Sequence, residues 1–245
     1  MKILVCISNV PDTTTKITFT PDGKEFNTAG VQFVINPYDE YALTRAIELK
    51  EAQGGSVTVL NVGEAETEPN IRKALAIGAD DAIRVNLKPT DAFLVAQQIA
   101  QVAKEGGYDL ILMGRESIDY NGSQVHGMVG ELLGIPSIVP AIKLDVNGTT
   151  ATLEREIEGG KEIIEVALPI VVSAQQPMSE PRIPNMRGIM TARTKPLKVV
   201  EPVSQEAKSQ VQGYELPPAK SGVKMIDAAN AGELIKLLRN EAKVL

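Results

Sequence analysis

The sequence predicts a doubly wound, mostly parallel α/β sheet with a small antiparallel meander and an extended C-terminal arm. Three observations carry this. Short apolar, β-branched runs alternate with helical patterns of about 10–15 residues as far as Gly134, the rhythm of right-handed crossovers onto a parallel sheet. From about residue 140 strand patterns follow one another directly, with Asn147-Gly148 and Gly159-Gly160 as hairpin turns. From Pro196 the chain is polar and proline-rich (Pro202, Pro217-Pro218) and lacks a core of its own.

Each element has its local reason. Lys2 to Ile7 is a short apolar run and reads as a buried strand. Asn9 to Asp12, with Pro11, reads as a turn. The Thr-rich stretch from Thr13 to Phe19 and the run from Val31 to Ile35 then suggest a small antiparallel excursion closed at Pro21-Asp22-Gly23. Asn36 is placed to cap a helix, Pro37 suits its first position, and Asp39 and Glu40 suit its positive end. Ala42, Leu43, Ala46, Ile47 and Leu49 make its apolar face, and Gly54-Gly55 ends it. Val57 to Val62 is the next strand. Asn70 to Gly78 reads as helix, Asp81 to Val85 as strand, Asp91 to Glu105 as helix and Asp109 to Met113 as strand. Gly122 to Leu133 reads as helix, stopped at Gly134-Ile135-Pro136. Ala141 to Asp145, Thr150 to Ile157 and Lys161 to Leu168 form the meander, and Pro169 to Ala174 is another apolar strand. Gln176 to Arg187 holds three prolines and no period, which predicts an exposed loop ordered by turns. Ala228 to Ala242 reads as a last helix with Leu234, Leu237 and Leu238 on one face.

Composition excludes several function classes. The 245 residues carry 31 acidic and 25 basic side chains, a net charge of −6, which argues against nucleic acid as the main partner. Aromatics make up 4% and tryptophan is missing, so platforms for stacked bases are not expected. One cysteine, Cys6, and one histidine, His126, leave no disulfide framework and no Cys/His metal site. No apolar run approaches the roughly 18 residues of a membrane span. The N-terminal apolar run is too short for a signal peptide, and the expected location is the cytoplasm.

In an open α/β sheet ligands sit beyond the carboxyl ends of the strands. Those ends are Cys6 to Asn9, Asn36-Pro37, Asn61 to Gly63, and Gly114 onward. Asn121-Gly122-Ser123-Gln124 opens a helix, where free N–H groups and the dipole favour a phosphate, and Gly114 would let a ligand approach the backbone. The same stretch alone also reads as a plain cap and turn. No Gly-x-Gly-x-x-Gly, Walker A or Gly-x-Ser-x-Gly pattern occurs, so a standard dinucleotide site, a nucleotide-cleaving loop and a hydrolase elbow are not supported. His126, one turn into that helix, reads as a packing residue and Cys6 as a buried, inert thiol. Asp80-Asp81 and the Glu154, Glu156, Glu158 series receive no acid–base role, the latter sharing a solvated strand face. Arg155, on the opposite face, is expected either to find an anion or carboxylate or to be an edge-strand charge. The segment Pro177 to Met190 would expose three methionines and two isoleucines on a proline-stiffened loop, which suits partner recognition, or else Ile189 and Met190 merely anchor a following helix.

Several of these residues together resemble the beta (small) subunit of electron transfer flavoproteins, over nearly the whole chain. The resemblance is carried by Glu154-Arg155-Glu156-Ile157-Glu158-Gly159-Gly160, Leu168-Pro169-Ile170-Val171-Val172, Glu180-Pro181-Arg182-Ile183-Pro184 and Gly188-Ile189-Met190-Thr191-Ala192. Asn36-Pro37-Tyr38-Asp39-Glu40, Ala74 to Asp80 and Gly114 to Asp119 support it. It implies an adenine-nucleotide alpha-hydrolase-like fold for residues 1–195, including a docking loop over 177–190. Residues 196–245 would be an arm packing on a flavin-carrying alpha subunit. The implied function is an electron carrier without a reaction of its own. The FAD lies mainly on the alpha subunit, electrons come from donor dehydrogenases such as acyl-CoA dehydrogenases, and a downstream redox acceptor takes them. The resemblance also implies a structural AMP, with Cys6 at the base, Asn36, Pro37 and Val62 along the pocket, and Asp119, Asn121, Gly122, Ser123, Gln124 and Val125 at the phosphate end. Docking is implied for Pro181, Arg182, Met186, Ile189 and Met190, with Met186 where the family has an apolar anchor, usually Leu.

Three departures from the family stand out. Thr13 takes the place of a flavin-proximal aromatic. Pro-Arg-Ile replaces Pro-Arg-Tyr. Gln124-Val125 is similar to members that bind a second FAD in place of AMP and bifurcate electrons from NADH. A stand-alone adenine-nucleotide-binding regulatory module is the rival from another class.

Overall fold

A computed structural model of the chain describes residues 1–204, 206–219 and 222–245. Strand β1 (Lys2–Cys6) is followed by a short antiparallel pair, β2 (Asn9–Pro11) and β3 (Phe33–Ile35). Helix α1 (Pro37–Gln53) leads to β4 (Ser56–Val62), and α2 (Glu68–Ile77) to β5 (Asp81–Val85). Helix α3 (Ala92–Gly106) leads to β6 (Leu110–Gly114), and α4 (Val125–Leu133) to β7 (Ser137–Ala141). Next come β8 (Lys143–Asn147), β9 (Thr150–Ile157), β10 (Gly160–Ala167) and β11 (Ile170–Ala174). Helix α5 (Met186–Ala192), β12 (Leu197–Val200) and α6 (Ala231–Asn240) complete the order.

Seven strands form one parallel sheet in the order β12-β5-β4-β1-β6-β11-β7. Because side chains alternate along a strand, β1 feeds two cores. Ile3 and Val5 join Leu43 and Ile47 of α1 and Ile71 and Leu75 of α2. Leu4 and Cys6 join Ala96 and Ile99 of α3 and Val129 of α4. The first crossover leaves β1 toward β4, whereas β6 lies on its other side, so the order reverses between β1 and β6 and a crevice opens at their carboxyl ends. The meander is a separate three-stranded antiparallel sheet, β10-β9-β8.

Two compact units result. One comprises Met1–Ile17 and Asn27–Gln212 and contains the sheets described above. The other comprises Thr18–Phe26 and Gly213–Leu245; within it Phe19 pairs with Phe26, Phe19 stacks on Tyr214 at 4.9 Å, and α6 has no buried residue.

The structure departs from the sequence reading at four places. The antiparallel excursion is built from Asn9–Pro11, read as a turn, and not from Thr13 to Phe19. The fully buried Val10 makes that segment a strand, and Pro11 is tolerated because a two-stranded ribbon has free edges. Ser137–Ala141 is a strand despite Pro140, because β7 is the outermost strand. Leu197–Val200, read as arm, closes the opposite edge by pairing with β5. Helix α4 starts at Val125, three residues later than Gly122, because Asn121 and Ser123 both adopt φ 50°, outside the helical region.

Candidate functional site

The first turn of α1 lies against the crevice. Asn36 does not cap its helix through its side chain. It is buried, and its Nδ2 donates to the Glu116 carbonyl at 2.9 Å while its Oδ1 accepts from the Ile118 N–H at 3.2 Å. Asp39 is also buried and accepts from the Ser8 N–H at 2.6 Å and from the Gly114 N–H at 2.7 Å. Burial pushes its carboxyl up to about 7, against the two N–H groups that hold it down. Pro37 occupies the first helical position, as expected. Gly114 is buried, and its missing side chain serves packing. A Cβ there would lie 2.5 Å from Asp39 Oδ1 and 2.5 Å from Tyr38 Cβ, so ligand approach is not what requires the glycine.

Beyond Gly114 the chain runs to α4 through an exposed loop containing Asp119, Asn121, Gly122, Ser123 and Gln124. Gln124 gives α4 no side-chain cap, so the N–H groups of its first turn keep no partner from that source. A Cβ on Gly122 would meet nothing nearer than Gln124 Nε2 at 4.0 Å, so the loop is open at that point. Ser123 Oγ donates to the Arg115 carbonyl at 3.0 Å, and His126 Nε2 lies 3.1 Å from the same oxygen. His126 is buried, burial lowers its pKa, and its Nδ1 has no partner among the described residues, in keeping with a packing histidine, while Ser123 Oγ lies 3.4 Å from its Nε2. Cys6 is buried at the end of β1, and burial, followed by the charge of Asp39, pushes its thiol far up, consistent with an inert sulfur. Val62 stands on the neighbouring strand in the same core as Cys6, and Val125 is half-buried at the start of α4. Thr13 lies in an exposed turn past β2.

Cys6, Asn36, Pro37, Val62, Gly114 and the 119–125 loop therefore surround the strand ends at the switch point. Sequence reasoning took Asp39 for a simple dipole acid and passed over Arg84. That buried guanidinium donates through Nη1 to the Gly63 carbonyl at 2.9 Å and to Asn86 Oδ1 at 2.8 Å, while its Nε has no partner among the described residues. A lone arginine in the apolar run Ala82-Ile83-Arg84-Val85 was the available signal. Arg155, by contrast, found its carboxylate. It sits in the central strand of the meander, bonds Glu162 directly opposite, and donates to the Val139 carbonyl at 3.2 Å, so it is no edge charge. Glu154 is also engaged, with Lys143 at 3.2 Å and Lys161 at 3.5 Å.

A second surface lies on α5. Asn185 caps it, accepting from the Gly188 N–H at 2.8 Å. Arg72 of α2 donates to the carbonyls of Ala192 and Lys195 at 3.0 and 2.8 Å, and Gly188 sits so close to α2 that a Cβ would lie 2.2 Å from the Ala76 carbonyl oxygen. With that side pinned, Met186 (73% exposed), Met190 (69%) and Ile189 share the outer face by their three- and four-residue spacing, and Ile183 before them is 91% exposed. Met178, expected outside, is buried in the core. Pro181 is exposed, and Arg182 braces the loop through two bonds to Glu51 of α1, at 2.7 and 2.8 Å. Among the described residues no group of three or more His, Cys, Asp or Glu is placed to hold a metal ion, and no helix is long and apolar enough to cross a membrane.

Comparison with known proteins shows the family. The profile of the electron transfer flavoprotein domain matches residues 24–204. The chain is 39% identical to the electron transfer flavoprotein subunit beta of Bacillus subtilis strain 168, over the full length of both chains. It is 38% identical to that of Syntrophomonas wolfei, over 100% of this chain and 98% of the other, and 34% identical to that of Homo sapiens, over 92% of each.

Proposed function

The chain belongs to the electron transfer flavoprotein beta subunits, and from that we propose that it holds an adenine nucleotide at the β1/β6 crevice, pairs with an alpha subunit and presents α5 to donor dehydrogenases. The observation that carries the nucleotide reading is the uncapped start of α4, opening beside the switch-point crevice. The nucleotide is AMP, with its base toward Cys6 and Val62 and its phosphate at the N–H groups of residues 122–126. The residues present fit it: the loop is open at Gly122, and the strand ends behind it are anchored by Asn36 and Asp39.

FAD, held mainly by the alpha subunit, supplies the redox chemistry when bound. This chain contributes an edge to that site, and Thr13 makes the contact thin. Outer-sphere transfer needs proximity and a transient interface, not acid–base residues. That fits a chain whose only histidine and cysteine are buried and inert. The apolar face of Met186, Ile189, Met190 and Ile183 suits a partner that binds and leaves, because methionine packs adaptably against different surfaces. The proposed donors are dehydrogenases such as acyl-CoA dehydrogenases, the acceptor is a downstream redox protein, and the setting is the cytoplasm. A second FAD in place of AMP, with NADH as donor, is the alternative favoured by Gln124-Val125.

Denaturing the purified two-chain complex and counting released cofactors tests this. One FAD and one AMP per heterodimer are expected; two FAD and no AMP mean the bifurcating form. A colourless homodimer carrying ATP would mean a stand-alone nucleotide-binding module. Replacing Ser123 and Gln124 with glutamate should reduce the adenylate recovered and the thermal midpoint together, since a ligand bound only by the native state stabilises it. Undiminished adenylate would place the phosphate elsewhere.

A further inference from the structure

We infer that Asp39 is the positioning residue of the nucleotide site, holding the diverging exits of β1 and β6 at the separation the ligand needs. This rests on the nucleotide reading above. The ladder between the two strands pairs Ile3 with Leu110, Leu4 with Ile111 and Val5 with Leu112, and then stops. Past that point β1 turns toward β2 and β6 toward the loop before α4, so neither strand can supply the other with acceptors. Ser8 and Gly114 are the first residues whose N–H groups need a substitute.

Asp39 provides it from a third element. One carboxyl oxygen, Oδ2, takes the Ser8 N–H and the other, Oδ1, takes the Gly114 N–H. A single side chain thus spans the gap that the reversal of strand order creates. Gly114 has no Cβ because that carboxyl and Tyr38 fill the space. Asn36 extends the same hold into the loop by fixing Glu116 and Ile118, and its own N–H donates to the Ser8 carbonyl at 3.0 Å. The base-side wall of the proposed pocket follows from the β1 exit and its phosphate end from the β6 exit. The distance between the two is set by the two oxygens of one carboxyl group. Asp39 touches neither ligand nor flavin and acts through the backbone it holds.

Asp39→Asn is the discriminating substitution, because it keeps the shape but turns one acceptor into a donor. The amide can accept one N–H and must oppose the other. In the purified heterodimer, stripped of nucleotide and titrated with AMP, affinity should fall about tenfold or more, while FAD content stays at the wild-type level. The increase in Tm that saturating AMP gives wild type should shrink, a loss that general destabilisation alone would not cause. Unchanged AMP affinity in a folded Asp39→Asn heterodimer overturns the inference. A wild-type heterodimer that neither contains nor binds adenylate overturns the nucleotide reading itself and the inference with it. Should the variant not fold, amide hydrogen exchange on the wild-type complex decides. AMP should slow exchange at Ser8 and Gly114 together, and exchange unaffected by AMP at either one counts against the role.

Discussion

Asp39 is a carboxyl group with two backbone donors, the side chains of Asn36 and Ser8 beside it and, among the described residues, no cation paired with it, and its energetics follow from that. The titratable group facing it is the Cys6 thiol; the Arg115 guanidinium lies instead over the Tyr38 ring at 5.4 Å and pairs with Glu116. Burial outweighs the two N–H bonds and the side chains of Asn36 and Ser8, and raises the folded pKa to about 7, above the ordinary value of about 3.9 for an unfolded chain. Between those values the folded protein holds a proton that the unfolded chain has lost. Stability from this group is therefore complete below about pH 4 and is lost as pH rises toward 7, by at most about 1.4 kcal/mol per pH unit. Urea midpoints of wild type minus those of Asp39→Asn, taken from pH 4.5 to 7.5, should show this slope; a constant difference would contradict it. This role could not be read in advance, because an acid in a first helical turn is ordinary. Only the tertiary placement of α1 over two strand ends makes Asp39 special.

At the scale of elements, what was legible was what carries its own pattern. Helix α1 begins on Asn-Pro with acids in its first turn, α3 has Asp91 as a true cap at 2.8 Å from the Leu94 N–H, and β9 runs from Thr150 to Ile157 as expected. Strands β2, β7 and β12 were missed, because two hold a proline and all three are defined by a neighbour and not by period. Within the site, the loop before α4 was found from its small polar residues, whereas the true helix start depended on two left-handed residues that composition does not reveal. Helix α5 separates support from surface, and two substitutions should separate them as well. Gly188→Ala, driven into the Ala76 carbonyl, should cost about 1–3 kcal/mol in chemical denaturation. Met186→Ala removes an exposed side chain and should change stability by less than about 0.5 kcal/mol. It should still slow electron transfer from the donor dehydrogenase several-fold in stopped-flow measurements. Wild-type transfer rates in Met186→Ala would remove α5 from the docking role.

For the molecule as a whole, the notable quantity is apolar surface left without cover. In the unit formed by Thr18–Phe26 and Gly213–Leu245, Leu216, Val223, Met225, Leu234, Ile235, Val244 and Leu245 are all exposed. Such a density fits a segment that is completed by another chain, as the proposed alpha subunit would do. The course of the polypeptide through α5 has a further consequence. Strand β11 lies between β6 and β7, and β12 lies at the far margin beside β5, so the segment carrying the proposed docking helix is a bridge from an inner strand to an outer abutment at the opposite edge of the sheet. A protein ended after Lys195 would keep α5 but lose the outer abutment. The free backbone groups of β5 would then invite strand-to-strand association between copies. Sedimentation of that shortened protein should show concentration-dependent self-association beyond that of the intact chain, and an unchanged sedimentation profile would mean that β12 shields nothing. Nicking the surface loop between α5 and β12 should accordingly act as damage to the framework, loosening the edge strand that follows the proposed docking helix.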